Sequence, residues 1–188
     1  DSKKQAAIYR HDLRHHMNFI QNCIQEQKTE EALSYINEIC TTLQSGAIQK
    51  YCENESVNLI LSSYIEKAQA LQIQTTIFVT ATDFSRFQIT DLCSLLSNAL
   101  ENAIHACTQI TYPEGRYINL KLYEKNEQLC INLANSYEEE PAFENDIPVS
   151  HKSGHGFGVQ SMISIVNKYS GIYGFFAQNG EFRFQATF

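Results

Sequence analysis

Apolar residues recur every three to four positions through the opening of the chain and every second position in much of its second half. Projected at about 100° per residue, Ala6, Leu13, Met17, Ile20 and Ile24 fall on one narrow stripe. Ala32, Leu33, Ile36, Ile39, Cys40 and Leu43 form a second stripe. Thr29 suits the N-cap of that second segment, with Glu30 and Glu31 in the first turn, where carboxylates favour the positive end of a helix. Only Gln25 to Lys28 separate the two segments, so an antiparallel helical hairpin is predicted over residues 1–48. Two helices have too little partner surface to bury both stripes, and pairing with a second copy would complete a four-helix bundle.

Residues 49–188 read differently. Ser45-Gly46 closes the hairpin, and Gln49 to Ser56 is a connector or short strand. A helix fits Val57 to Leu71, and Ile73, Thr75, Ile77 and Val79 alternate as a strand. After a turn at Asp83 to Phe87, a helix from about Thr90 to Cys107 has Leu92, Leu95, Leu96, Ala99, Ala103 and Ala106 on its inner side. Tyr112-Pro113-Glu114-Gly115 is a turn signal. Tyr117 to Tyr123 and Gln128 to Ala134 read as a hairpin around Lys125-Asn126. From Ser136 to Ser153 the periodicity dissolves into a stretch with two prolines and an acidic run, Glu138 to Glu140. A loop of that length inside a domain is usually functional or mobile. A helix to about Tyr169 follows, then strands Ile172 to Ala177 and Phe182 to Phe188 joined near Asn179-Gly180. The expected fold class is α+β: a helical hairpin, then a two-layer sandwich with helices on one face of a largely antiparallel sheet.

Composition narrows the possibilities. With 43% apolar and 11% aromatic residues, 188 residues can bury a core in one domain plus an appendage, or in two small domains. The formal charge of −7 argues against a general nucleic-acid binder, which needs a basic face. No apolar run approaches the ~20 residues of a membrane span, and no signal peptide is visible. The chain starts Asp1-Ser2-Lys3-Lys4 without methionine, so it reads as a trimmed fragment with room for a membrane region upstream. Its six cysteines form no CxxC pair and sit among apolar neighbours, as buried free thiols of a reducing compartment do.

Candidate chemistry gathers in four places. Gly154, Gly156 and Gly158 alternate just before a helix, where unpaired backbone N–H groups beside the helix's positive end suit phosphate. Asn98 and Asn102 share a helix face, with His105 beyond them; carboxamides offer an oxygen to a hard cation and N–H donors to phosphate. The alternative is a pair of solvated asparagines. Asn135 ends a strand, where it can line a ligand site or simply form an Asx turn. His11 lies opposite the apolar stripe of the first helix, followed by Asp12, which could accept an imidazole proton and leave the other ring nitrogen a better nucleophile. His11 and His15 also have the spacing of a zinc pair, and a solvated histidine is the plainest reading.

Together these pieces resemble a sensor histidine kinase over nearly the whole chain. LLSNALENAIHA resembles the N-box helix of the GHKL ATP-binding fold shared by gyrase B, MutL and histidine kinases, and SGHGFGVQSMISIVNKYSG resembles its second glycine box. YRHDLRHH resembles the phosphoacceptor helix of the subfamily that includes Gram-positive peptide-sensing kinases, marked by the RHD triplet. The resemblance implies domains at residues 1–48 (dimerisation and histidine phosphotransfer) and 49–188 (ATP binding). It implies His11 as phosphoacceptor and Asp12 as its orienting or basic neighbour. Asn98 and Asn102 would match the NxxxN pair, with Asn102 holding Mg²⁺, and His105 falls where many relatives carry a phosphate-contacting lysine. Gly154, Gly156 and Gly158, with Lys152 and His155 among them, would line the phosphates of ATP, and residues 136–153 would form the ATP lid. Implied partners are a second copy of the chain and a response regulator, with no nucleic acid. The implied place is the cytoplasmic portion of a bacterial receptor, anchored in the membrane only through an upstream sensor region.

The chain departs from the wider pattern at the first glycine box, usually DxGxG with an aspartate that binds the adenine amino group. Asn135-Ser136-Tyr137 stands there instead, and the subfamily carries asparagine at that point, so Asn135 is the adenine candidate. Asn98 occupies the place of the glutamate that activates water in hydrolytic relatives, which favours transfer to a side chain over ATP hydrolysis. The alternatives are a phosphorelay or scaffold protein of the same fold that does not bind ATP, and a GHKL ATPase clamp.

Overall fold

The computed structural model describes residues 50–149 and 157–188, together with single positions and short runs between 21 and 36. The chain divides into two compact units, Asp1–Ile48 and Gln49–Phe188. In the first unit, residues 21, 23–25, 29–30, 32–33 and 36 are helical and Lys28 is not. Cys23 and Ala32 are buried, whereas the stripe residues Ile24, Leu33 and Ile36 are exposed. The rest of the predicted hairpin, including His11 and Asp12, lies outside the described residues.

The second unit opens with helix α1, Glu55–Ala70. Asn54 caps it, its Oδ1 accepting the Val57 N–H at 3.1 Å, and Val57, Leu61, Ile65 and Ala68 are its buried face. Asn58 turns its carboxamide oxygen back to accept the Tyr51 N–H at 2.7 Å, which fixes residues 50–54 as a connector rather than a strand. Strand β1 (Gln74–Val79) and helix α2 (Ile89–Thr108) follow. Strands β2 (Tyr117–Lys125) and β3 (Gln128–Ser136) form a hairpin. A small separate hairpin pairs β4 (Ala142–Glu144) with β5 (Ile147–Val149). Helix α3 (Phe157–Lys168) and strands β6 (Ile172–Gln178) and β7 (Glu181–Thr187) complete the unit.

The five longer strands make one sheet in the order β1-β2-β3-β7-β6. Only β1 and β2 run parallel, because the α2 crossover joins them; hairpins join β2 to β3 and β6 to β7, and β3 pairs antiparallel with β7 across a long connection. Register sorts the inward residues into rows. Leu122, Ile131 and Ala186 form one row, and Leu120, Leu133, Phe184 and Phe175 the next. These rows are buried in one core with Leu61 and Ile65 of α1, Leu92, Leu95 and Leu96 of α2, and Met162 and Val166 of α3. The two-layer α+β architecture follows from this one-sided burial.

Three sequence expectations change. Residues 136–153 are not a featureless loop: β4 and β5 are too short to show a period, and Asn145 and Asp146, both in the left-handed region (φ 50° and 63°), close them. The β2–β3 turn falls on Asn126 and Glu127 (φ 52° and 61°), one residue later than expected. Ala106 is only half-buried, while Leu100, Ile104 and Cys107 are buried on α2 instead.

A polar clasp joins the start of α2 to the end of α3. The Lys168 Nζ and the Tyr169 hydroxyl each donate to Asp91 Oδ2 at 2.6 Å, and the Gln88 N–H donates to the Tyr169 oxygen at 2.9 Å. The hydrogen bond from Lys168, then that from Tyr169, holds the Asp91 carboxyl below its ordinary value.

Two outcomes are expected. Leu61→Ala should lower the unfolding free energy by about 2–5 kcal/mol and the exposed Leu59→Ala by less than about 0.5 kcal/mol, in urea titrations followed by near-ultraviolet circular dichroism. Because the folded pKa of Asp91 is depressed, its contribution is present above the ordinary carboxylate pKa and lost as pH falls through the folded value. Asp91→Asn should therefore melt below the wild type at neutral pH, and the two midpoints should converge as pH falls through the depressed folded value of Asp91.

Candidate functional site

Helix α2 is fixed by its apolar arc, and that arc decides what the remaining arc faces. Asn98, Asn102 and His105 line a cavity of about 430 Å³. Leu133, Asn135, Phe182 and Phe184 reach it from the sheet, and Gly158, Val159 and Met162 from the start of α3. Tyr137, Pro141, Pro148 and Val149 line it from the stretch after β3.

The two carboxamides of α2 meet α3. Asn98 Nδ2 donates to Ser161 Oγ at 3.3 Å, and Asn102 Nδ2 stands 3.8 Å from Met162 Sδ. A Cβ added at Gly158 would lie 3.4 Å from Asn98 Oδ1 and 3.6 Å from Asn102 Oδ1. Gly158 thus leaves open the space that any larger side chain would fill between two hard oxygen atoms.

Asn135 is buried, at 2% exposure, in the row after Leu120 and Leu133, level with Ile118 and Phe182. Its Nδ2 donates to the Ser136 carbonyl at 3.0 Å, and the residue lines the cavity. Ser136 is itself held: its Oγ accepts the Tyr117 N–H at 3.0 Å and contacts the Cys107 thiol at 3.6 Å. Burial pushes the Cys107 thiol up, so it stays protonated as a structural group. Cys23, Cys52, Cys93 and Cys130 are free as well.

Asn98, Asn102, His105, Asn135 and Gly158 therefore share one cavity. Lys152, Gly154, His155 and Gly156, like His11 and Asp12, lie outside the described residues. Among the described residues no group of three or more His, Cys, Asp or Glu converges on a metal position. A hard cation in the cavity has the carboxamides of Asn98 and Asn102 and the acidic residues Glu101 and Glu139 as oxygen ligands to draw on, beside its retained waters.

Sequence reasoning missed two features. The first is an aromatic wall: Phe175 stacks on Phe184 at 5.2 Å between centroids and lies 6.3 Å from Phe182, which Phe143 of β4 approaches at 6.4 Å. Its signal was the alternation of Phe182 and Phe184 on the strand, which reads equally well as plain core. The second is the charge of the lining. Glu101 and Glu139 contribute carboxylates, and no described lining residue is Lys or Arg.

Residues 87–188 match the family model described as GHKL domain. No curated protein matches the sequence. The nucleotide-free catalytic domain of histidine kinase ThkA aligns with a TM-score of 0.57 at 18% identity, covering 74% of this chain and 95% of that one. A mycobacterial sensor histidine kinase, MprB, aligns at 0.55 and 17%, covering 71% and 92%. The Acinetobacter baumannii histidine kinase AdeS aligns at 0.52 and 11%, covering 94% and 96%. At these identities the likeness is one of fold.

Proposed function

This chain belongs to the GHKL domain family, and from that premise we propose that it is the cytoplasmic portion of a sensor histidine kinase of the RHD type. Gln49–Phe188 binds ATP, His11 receives its γ-phosphoryl group, and the phosphoprotein passes that group to an aspartate of a response regulator. The observation that carries this reading is the convergence of Asn98, Asn102, His105 and Asn135 on one cavity beside Gly158.

The residues fit the nucleotide part by part. The Asn135 oxygen accepts from the exocyclic amine of adenine, with Phe182 and Phe184 as the apolar floor beneath the base. Asn98, Asn102 and His105 face the phosphates, helped by the backbone N–H groups of the glycine join. Asn102 would hold Mg²⁺ through its carboxamide oxygen, and the ion would supply neutralisation of phosphate charge there. An imidazole nitrogen of His11 attacks the γ-phosphorus as the bond to the β–γ bridging oxygen breaks; Asp12 takes the imidazole proton and ADP leaves. Orientation and charge neutralisation supply most of the acceleration of phosphoryl transfer, so little covalent chemistry falls to the domain itself.

Residues 1–48 act as the dimerising hairpin. The exposed Ile24, Leu33 and Ile36 support this, being apolar side chains that one copy leaves in water. A membrane-anchored sensor region upstream completes the receptor; among the described residues no helix is long and apolar enough to cross a membrane.

Incubation with γ-labelled ATP should give acid-labile, base-stable label. His11→Gln should abolish it while nucleotide binding, read by fluorescent ATP titration, stays near the wild-type level. Label persisting in the variant would refute the acceptor. Gly158→Val should place a branched side chain between the two carboxamides and weaken nucleotide binding at least about tenfold, with the melting midpoint little changed.

A further inference from the structure

The cavity poses a charge problem that its described lining does not solve. Phosphates entering beside Asn98 and Asn102 would meet the carboxylate of Glu101, on the same helix and one turn before His105. No described Lys or Arg lines the cavity to offset it.

A cation comes from another helix. Lys67 lies in the last turn of α1, where an ammonium also complements the helix's negative end. Its Nζ donates to Glu101 Oε1 and Oε2, each at 2.9 Å, across a sequence separation of 34 residues. The same ammonium lies 5.8 Å from the centroid of the Tyr64 ring. As a source of stability this pair is minor: its side chains are 48% and 53% exposed, and exposed pairs contribute little. Its position matters more. α1 and α2 are locked in place by Leu61, Ile65, Leu95 and Leu96, so the ammonium is held at Glu101, which neighbours Asn102 in sequence and lines the same cavity.

We infer that Lys67 is a positioning residue for nucleotide charge: by neutralising Glu101 it makes the phosphate end of the cavity acceptable to a polyanion. This rests on the nucleotide reading above. Lys67 itself touches no phosphate; it acts through Glu101.

The test is fluorescence titration of the full chain with labelled Mg·ATP, Mg·ADP and adenosine, with melting midpoints measured in parallel. Lys67→Ala should weaken Mg·ATP binding about three- to tenfold, less at high salt. The loss should be smaller for ADP and absent for adenosine. Lys67→Arg should bind like the wild type. In a Glu101→Gln background, Lys67→Ala should have no effect, because the charge it offsets is gone. Unchanged affinity in Lys67→Ala overturns the inference, as does an equal loss for adenosine. A loss that persists in the Glu101→Gln background also overturns it, since Lys67 would then contact phosphate directly. A wild-type chain that fails to bind at millimolar Mg·ATP brings down the nucleotide reading first and this inference with it.

Discussion

The structure depends on the burial of α2 against the sheet. Leu92, Leu95, Leu96 and Leu100 are all within a few per cent of complete burial, and each such side chain contributes about 1.5–3 kcal/mol. Asparagine within a helix costs less than about 0.7 kcal/mol relative to alanine. Packing therefore wins easily, and the helix tolerates Asn98 and Asn102 in its middle. Once the apolar arc is seated, the polar arc has no rotational freedom left. The two carboxamides and His105 are aimed by leucines that never touch the cavity.

The sheet does the complementary work through its two-residue period. The rows of Leu122, Ile131 and Ala186 and of Leu120, Leu133, Phe184 and Phe175 are apolar, and in the next one Asn135 and Phe182 stand level with Ile118. That row is core by position and binding surface by chemistry. A neutral amide suits it: burying an unpaired carboxylate would cost far more than burying a carboxamide whose N–H has a partner. Asn135 has that partner in the Ser136 carbonyl. The substitution that separates this chain from the usual first glycine box is thus compatible with an aromatic floor.

How much of this was legible in the sequence depended on the length of each element. α2 and the long strands announced themselves because their burial repeats over several periods, and the side chains on the polar arc of α2 could be named from spacing alone. β4 and β5 could not be read, since three residues carry no period. The aromatic wall was hidden because a cavity-lining Phe and a core Phe leave the same alternating trace. Ala106 falls inside in projection because a projection measures an angle around the helix, not where the neighbouring layer stops. The Lys67–Glu101 pair joins two helices through residues 34 apart in sequence, and no local pattern encodes a meeting of that kind.

The clasp at Asp91 has a mechanical corollary. Lys168 and Tyr169 bind the far end of α3 to the start of α2, and Val166 beside them is fully buried, while Gly158 and Val159 are only half-buried. The same helix is held again nearer its start, where Met162 is buried and the Asn98 carboxamide donates to Ser161 Oγ. With α3 stapled to α2 at both points, the clearance beside Gly158 is set by how deeply one helix seats on the other, not by the loop that leads into it.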